Sequence, residues 1–466
     1  MTKLTYDDLK FPDYNSKGEL VNHYTNTNTA VRLPAKIGDE VKTIELSLTD
    51  VVYAAELAGL NMLFVADTGK GKTQLISDIA WSHFGGDNND FGNANWADGR
   101  PNFEIEDLFV RSKVDLTKGY DSDTARQLKE ERIKRVCLCV DELNRAPKPK
   151  QNEFFDLADG KYTFNGTRYR LGQDGYTLFI ATANLNKLNG DFSGTFEFDR
   201  ALLNRAHLTI DLDHKDFSPT PRDKIDIRKR KKSPRVDMAE PRDISSKIIE
   251  AHKDIIAMKA DDPYMSAFEF LIDNGLSYCE KDKYNEKGAA FPMQCVECEK
   301  GCKNEGLCNL LKGSSERTVD SIAPLAYALS YIASLKFGKN VEISPFDAAL
   351  QAFRFTTYHG NLNENVCKEE YAGRKQAMMD TTVNKLEESV NIVKDYIPAM
   401  VEGKEPEIIV CNINGNEVRS PKSDSTENKL KERNISYQIR SIKDELKAKG
   451  IGADWVDDYK QEVKRK

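Results

Sequence analysis

One ten-residue segment constrains the fold of this chain more than any other: residues 64–73 (FVADTGKGKT), which follow an apolar run and precede an amphipathic one. Glycines at 69 and 71 let backbone N–H groups point inward at phosphate oxygens, while the Lys72 ammonium and the Thr73 hydroxyl can bind phosphate and Mg²⁺. Ala66 replaces the first glycine of the G-x-x-x-x-G-K-[ST] pattern, which is harmless if it keeps a strand-end conformation. The pattern predicts a nucleotide-binding loop whose candidate residues are Asp67, Thr68, Gly69, Lys70, Gly71, Lys72 and Thr73.

Two later apolar runs also end in polar residues. The run at 136–140 ends in Asp141 and Glu142, and the run at 176–182 is followed by Asn184. Parallel strands place their carboxyl ends at one sheet edge. We therefore expect Asp141 to hold Mg²⁺ through water, Glu142 to orient and deprotonate the attacking water, and Asn184 to hold that water with Glu142. Taken singly, an exposed acidic turn and a turn asparagine are the simpler interpretations.

Several motifs together resemble one family. Residues 141–147 (DELNRAP), followed by Gln151 and Asn152, resemble the MoxR-like AAA+ ATPases of the dynein-related subfamily. Residues 181–184 (ATAN) resemble the sensor 1 strand of that family, and residues 198–205 (FDRALLNR) resemble the segment that carries its arginine finger. The resemblance covers roughly residues 45 to 365.

The resemblance implies an α/β fold, an AAA+ P-loop NTPase core with a five-stranded parallel sheet between helices, followed by a helical lid with a Cys-rich insert. It implies ATP and Mg²⁺ as cofactors. Arg205 would be the finger that reaches a γ-phosphate on the neighbouring subunit, with Arg200 as the alternative, and such a finger requires a ring, expected to be a hexamer. Arg317, in the sensor 2 motif 313–317 (GSSER), would contact the γ-phosphate in cis, although Glu316 stands where the family prefers Pro.

The family's function would be ATP-driven remodelling or activation of a protein client, with a von Willebrand factor A-type adaptor as a partner. One alternative is an assembly or scaffold protein whose oligomeric state is set by ATP binding alone. Another is a nucleic-acid motor, which would rest on the basic run 228–232 (RKRKK). Such runs are more typical of a solvated linker, and the net charge of −7 argues against nucleic acid as an obligatory partner.

Four closely spaced cysteines predict a metal site within an insert at about 275–312. Thiolates this close can converge on one ion, and glycines at 301 and 306 permit the turns. Structural Zn²⁺ is favoured over an iron-sulfur cluster, and plain reduced thiols are the alternative. Loss of the metal would loosen the segment that positions Arg317. The candidate ligands are Cys295, Cys298, Cys302 and Cys308.

Composition fits a cytoplasmic protein. The chain starts with polar residues and has no apolar run of membrane length. We therefore expect neither a signal peptide nor a membrane span. In a reducing compartment the nine cysteines would be thiols or metal ligands.

Short apolar runs separated by helix-length segments predict strands at 62–66, 103–114, 136–140, 176–182 and 207–212 and a loop at 84–101. Asn165 and Gly166 predict the turn of a β-hairpin, which is either a partner contact or a solvated projection. Helices are expected at 48–57, 73–83, 243–275 and 315–358. The expected domains are an N-terminal extension (1–44), the ATPase core (45–215), a basic Pro-containing linker (216–242), the helical lid (243–365) and a C-terminal helical extension (366–466).

Overall fold

The structure is a computed structural model. It describes residues 3–13, 18, 24–85, 92–109, 130–164, 166–184, 195–196, 198, 200–230, 240–258, 262–275, 307–311, 315–356, 361–394, 396–402, 409–413, 416–419, 442 and 444–450. The predicted metal ligands Cys295, Cys298 and Cys302 lie outside these residues, as does the side chain of Cys308. The metal site therefore stays a prediction.

The strands have the following bounds: Thr29–Ile37 (β1), Glu40–Ser47 (β2), Met62–Ala66 (β3), Ala94–Asp98 (β4), Cys137–Asp141 (β5), Lys161–Phe164 (β6), Thr167–Arg170 (β7), Leu178–Asn184 (β8), Leu208–Asp211 (β9), Val341–Ile343 (β10), Ile409–Ile413 (β11) and Asn416–Arg419 (β12).

The α-helices have the following bounds: Tyr6–Leu9, Leu48–Ala58, Lys72–Phe84, Glu106–Phe109, Lys148–Ala158, Arg200–Leu203, Pro221–Arg230, Ser245–Ala257, Pro263–Phe270, Leu307–Leu310, Glu316–Phe337, Pro345–Thr356, Glu364–Glu370, Lys375–Lys394 and Ile397–Val401. A 3₁₀ turn covers Leu143–Arg145, and a π turn covers Leu271–Gly275. None of the described helices is long and apolar enough to cross a membrane.

The centre of the fold is a five-stranded parallel sheet in the order β4-β5-β8-β3-β9. Every residue of β3 and β8 is buried, as expected for strands covered on both faces. Helices Lys72–Phe84 and Lys148–Ala158 pack against the sheet, and Leu63, Val140 and Phe154 belong to one buried cluster. The predicted fold class, an α/β protein with a parallel five-stranded sheet, is confirmed.

One strand was predicted at the wrong place. The second strand is Ala94–Asp98, inside the expected loop 84–101 and not at 103–109; residues 110–114 of the predicted strand lie outside the described part of the chain. It pairs with β5, from Ala94 opposite Cys137 to Asp98 opposite Asp141. In this edge strand the polar residues Asn95 and Asp98 interrupt the apolar ones, so it lacks the apolar run that identifies the inner strands. Residues 103–105 are not in a strand, and Glu106–Phe109 is a short helix.

Two of the expected segments contain elements that the sequence did not predict. The expected linker contains the helix Pro221–Arg230, which carries the first three cations of the basic run, while residues 231 and 232 lie outside the described part. The C-terminal extension contains the antiparallel pair β11 and β12 beside its helices. The hairpin formed by β6 and β7 lies where Asn165 and Gly166 predicted it.

The chain divides into two compact units. The first comprises residues 1–257 and 324–360, and the second comprises residues 258–323 and 361–466. The parallel sheet belongs to the first unit. So does an antiparallel sheet in the order β10-β1-β2, whose strand β1 comes from the expected N-terminal extension.

Asn61, which precedes β3, joins three segments of the first unit. Its side chain donates hydrogen bonds to the carbonyls of Ala158 (2.8 Å) and Arg205 (2.9 Å), and it accepts one from the N–H of Phe179 (3.0 Å). The residue is 3% exposed. Buried polar groups that lose their partners cost more than the bonds themselves contribute.

We expect Asn61→Ala to lower the free energy of unfolding by about 2–4 kcal/mol, because it leaves two carbonyls and one N–H buried without their partner. Urea denaturation followed by circular dichroism measures the change. Asn102→Ala, at an exposed turn position, is the matched control and should stay within about 0.5 kcal/mol of the wild type. Equal midpoints for the two variants would contradict the assignment.

Candidate functional site

The predicted phosphate-binding loop connects β3 to the helix Lys72–Phe84. Gly69 and Gly71 have φ of 76° and 84°, the left-handed region that glycine enters without strain. Ala66 remains the last residue of β3, paired with Asn184 of β8, so the alanine that replaces the usual glycine keeps a strand conformation. The loop therefore has the turns that the sequence pattern requires.

Lys72 is held at the base of this loop. Its ammonium donates to the carbonyls of Ala66 (3.1 Å) and Asp67 (2.8 Å). Burial lowers the pKa of Lys72, against the opposing effect of nearby carboxylates, of which that of Asp213 contributes most. A bound phosphate would add negative charge beside this ammonium and so favour its charged form.

Asp213 was not anticipated from the sequence. Its carboxylate accepts the N–H of Asp67 (2.8 Å) and lies 3.3 Å from the ammonium of Lys70. It follows β9 by two residues, and because β9 is parallel to β3 it reaches the same sheet edge. In the sequence, the position of Asp213 just after a predicted strand was the only indication of this role. A single aspartate after a strand does not form a recognisable motif.

Asp141 lies beside the loop at the end of β5. The Thr73 hydroxyl donates to its two carboxylate oxygens at 3.2 and 3.1 Å, and the Thr182 hydroxyl donates to Oδ1 at 2.5 Å. Hydroxyl and carboxylate oxygens are the ligands that Mg²⁺ prefers. These residues, with Lys72 and the glycine-containing loop, form a donor set that fits a metal-bound nucleotide triphosphate.

Glu142 and Asn184 are also together, as predicted. The Asn184 amide donates to Glu142 Oε1 at 3.3 Å, while Arg145 pairs with Oε2 at 2.9 Å. Glu142 has φ 52° and ψ 45°, a left-handed conformation that is uncommon for residues other than glycine. Strained backbone of this kind is concentrated at functional sites.

Two further residues brace this strained turn. The Asn144 side chain donates to the carbonyl of Asn184 (2.7 Å) and accepts its N–H (3.2 Å), so the turn is joined to the end of β8. Gly99, just after β4, donates its N–H to the carbonyl of Asp141 (2.8 Å). A Cβ at Gly99 would lie 2.3 Å from the carbonyl oxygen of Glu142. Sequence reasoning missed Gly99 because it missed β4.

Of the three predicted arginines, Arg205 is shown to lie away from this cluster. Arg205 pairs with Asp159 (3.1 Å), and its guanidinium lies 4.8 Å from the Phe155 ring centroid. The Arg205 carbonyl is bonded to Asn61 at the amino end of β3, the sheet edge opposite the loop. Arg200 begins a short helix and its side chain is not described, and exposed Arg317 lies in the second compact unit.

The chain is similar to solved structures at low sequence identity, as two examples show. No family model matches the sequence, and no curated protein matches it. A candidate ATPase from Cytophaga hutchinsonii is 15% identical, with 72% of this chain and 88% of that chain covered and a TM-score of 0.48. An MCM homologue from Methanopyrus kandleri is 12% identical, with 72% and 55% covered and a TM-score of 0.37.

The class of fold follows from the sheet itself. A parallel five-stranded sheet flanked by helices, with a phosphate-type loop after β3 and carboxylates after β5, is an α/β fold of the P-loop NTPase type.

We expect Gly99→Ala to lower the free energy of unfolding by about 1–3 kcal/mol and to displace the turn at Glu142, because its methyl group would overlap backbone atoms. Hydrogen exchange of the peptide covering residues 141–146 should accelerate. Gly38→Ala is the control, since a Cβ at Gly38 meets nothing within 4 Å and adds only the strain of its φ of 65°. Unchanged exchange in the 141–146 peptide of Gly99→Ala would refute the contact.

Proposed function

We propose that this protein is an ATP-hydrolysing AAA+ ATPase of the MoxR-like type, which works as a ring and uses ATP turnover to remodel or activate a protein client. The observation that carries the ATPase proposal is the meeting of Thr73, Asp141, Glu142 and Asn184 at the carboxyl edge of one parallel sheet. The ring, the client and a von Willebrand factor A-type adaptor rest on the sequence resemblance.

Each residue of the cluster has a role that its position allows. Lys72 and the loop amides would bind the β- and γ-phosphates, and Thr73 and Asp141 would hold Mg²⁺ directly and through water. The bound Mg²⁺ would neutralise charge on the phosphate oxygens. Asn184 and Glu142 Oε1 would hold the attacking water, from which Glu142 takes the proton. Arg145 occupies the other oxygen of Glu142 and so fixes its orientation.

Arg205 is proposed to act on the neighbouring subunit. Its carbonyl is hydrogen-bonded at the sheet edge opposite its own phosphate loop, and its side chain is 20% exposed, so it is proposed to serve the nucleotide of a neighbour and not its own. Its partner Asp159 and the Phe155 ring would hold the guanidinium until assembly supplies a phosphate. Arg317 is proposed to contact the γ-phosphate from the helical lid. Arg200 remains the alternative finger.

The decisive test is Glu142→Gln, which keeps the size of the side chain but removes the base. We expect phosphate release to fall by about 100-fold or more while ATP binding is retained, because general-base catalysis typically contributes about 10²–10⁴ in rate. A phosphate-release assay and a fluorescent-nucleotide titration measure the two quantities. Glu153→Gln, in the helix Lys148–Ala158, is the control and should leave both unchanged.

Two results obtained with the wild-type protein would change the proposal. Wild-type protein that binds ATP, assembles and releases no phosphate would favour the scaffold alternative. Hydrolysis stimulated by DNA with a steep dependence on salt would favour a nucleic-acid motor.

A mixing experiment tests the proposed finger. Arg205→Ala should reduce turnover by about 10³-fold or more, as the loss of a phosphate-stabilising arginine typically does. Co-assembled with Glu142→Gln, it should recover activity, because the subunit that lacks the base still supplies Arg205 to a neighbour whose Glu142 is intact. Arg32→Ala, an exposed arginine paired with Glu45, is the control. Mixed rings that stay as inactive as either variant alone would exclude action in trans by Arg205.

A further inference from the structure

Thr182 is a fully buried residue of the central strand β8, between β5 and β3. A threonine in such a strand is ordinarily a core residue with a β-branched side chain that suits the sheet. Here the hydroxyl makes two hydrogen bonds at the end of β5, one with the Asp141 carboxylate and one with the Glu142 backbone. It donates its proton to Asp141 Oδ1 (2.5 Å) and accepts the backbone N–H of Glu142 (2.8 Å).

The two bonds control different parts of the site. A hydroxyl has a single proton, so donating it to Asp141 leaves its lone pairs for the N–H of Glu142. The bond to Asp141 is charge-assisted and of the short kind typical for O–H and carboxylate. It fixes the orientation of the carboxylate that is proposed to hold Mg²⁺. The bond from Glu142 holds the first residue of the turn in its left-handed conformation, with φ 52°.

Thr182 contacts the same carboxylate as Thr73, which is proposed to hold Mg²⁺. Thr73 also donates to Asp141, at 3.1 and 3.2 Å. A Thr73 hydroxyl that held Mg²⁺ would use an oxygen lone pair for the ion and could keep its proton for Asp141. Thr182 would then be a second donor that orients the same carboxylate. Asn184, further along β8, meets the other carboxylate, that of Glu142. A single strand therefore orients both acidic side chains, through residues two positions apart.

We propose that Thr182 is a positioning residue for metal binding and water activation: through its hydroxyl it sets the orientation of Asp141 and the turn that presents Glu142. The inference rests on the proposed ATPase function and assigns to this residue a role in Mg²⁺ use and kcat, with no contact to the nucleotide itself.

The chain contains a matched control for a buried hydroxyl without this role. Thr209, in β9 of the same sheet, is 1% exposed, and its Oγ1 makes no hydrogen bond within the described part of the chain. Replacing either threonine by valine exchanges a hydroxyl for a methyl group in a buried strand. The two variants therefore share the packing change and differ in the bonds to Asp141 and Glu142.

The experiment compares Thr182→Val, Thr182→Ser and Thr209→Val in the full chain. For Thr182→Val we expect kcat to fall about 10- to 100-fold, the effect of losing hydrogen bonds that involve a charged group. The Mg²⁺ concentration for half-maximal turnover should rise severalfold, while binding of a fluorescent ATP analogue in EDTA stays unchanged. Thr182→Ser should restore kcat to within about threefold because it keeps the oxygen. Thr209→Val should match the wild type.

Two results would overturn the inference: a Thr182→Val kcat and Mg²⁺ requirement within about twofold of Thr209→Val, or a folded Thr182→Ser as impaired as the valine variant. If Thr182→Val does not fold, Thr182→Ala and Thr182→Ser, which differ by one oxygen atom, make the same comparison.

If the wild type binds ATP without hydrolysing it, the ATPase proposal fails separately. The Mg²⁺ dependence of ATP binding then tests Thr182, and equal dependence in the wild type and Thr182→Val would overturn its role.

Discussion

The site depends on the parallel register of three adjacent strands. Ala66 at the end of β3 pairs with Asn184, and Val140 of β5 pairs with Ala181 of the same central strand. This register brings the phosphate loop, the carboxylates and the amide to one edge, although they are far apart in the chain. A slip of one residue in β8 would turn both Thr182 and Asn184 to the other face of the sheet and separate them from the carboxylates.

Much of this edge was predictable because the inner strands are buried on both faces and therefore consist of continuous apolar runs. The loop at 64–73 and the residues Asp141, Glu142 and Asn184 lie together as their order in the chain indicated. The edge strand Ala94–Asp98 was missed because Asn95 and Asp98 interrupt its apolar residues, so it has no such run. Gly99, whose close approach to Glu142 is visible only in three dimensions, was missed with it.

Other contacts could not be read from sequence because they depend on pairing between distant segments. Asp213 meets the phosphate loop only because β9 is the parallel neighbour of β3. The pairing of Arg205 with Asp159 likewise joins two segments that no motif links. Thr182 resembles an ordinary β-branched strand residue until its two hydrogen-bond partners are known. The cysteine-rich insert lies almost entirely outside the described residues, so its chemistry stays a prediction.

Because Asn61 is hydrogen-bonded to the Arg205 carbonyl, β3 connects the phosphate loop to the segment that carries Arg205. This strand ends in the phosphate loop, and its amino end is tied through Asn61 to the segment that carries Arg205. Five residues of extended chain span about 16 Å and stretch little. In the proposed ring, the nucleotide of a subunit would thus be bound at one end of β3. The arginine that acts on the adjacent nucleotide would be attached to the other end of this short, stiff strand. Successive sites around the ring would be mechanically connected through the middle of each subunit.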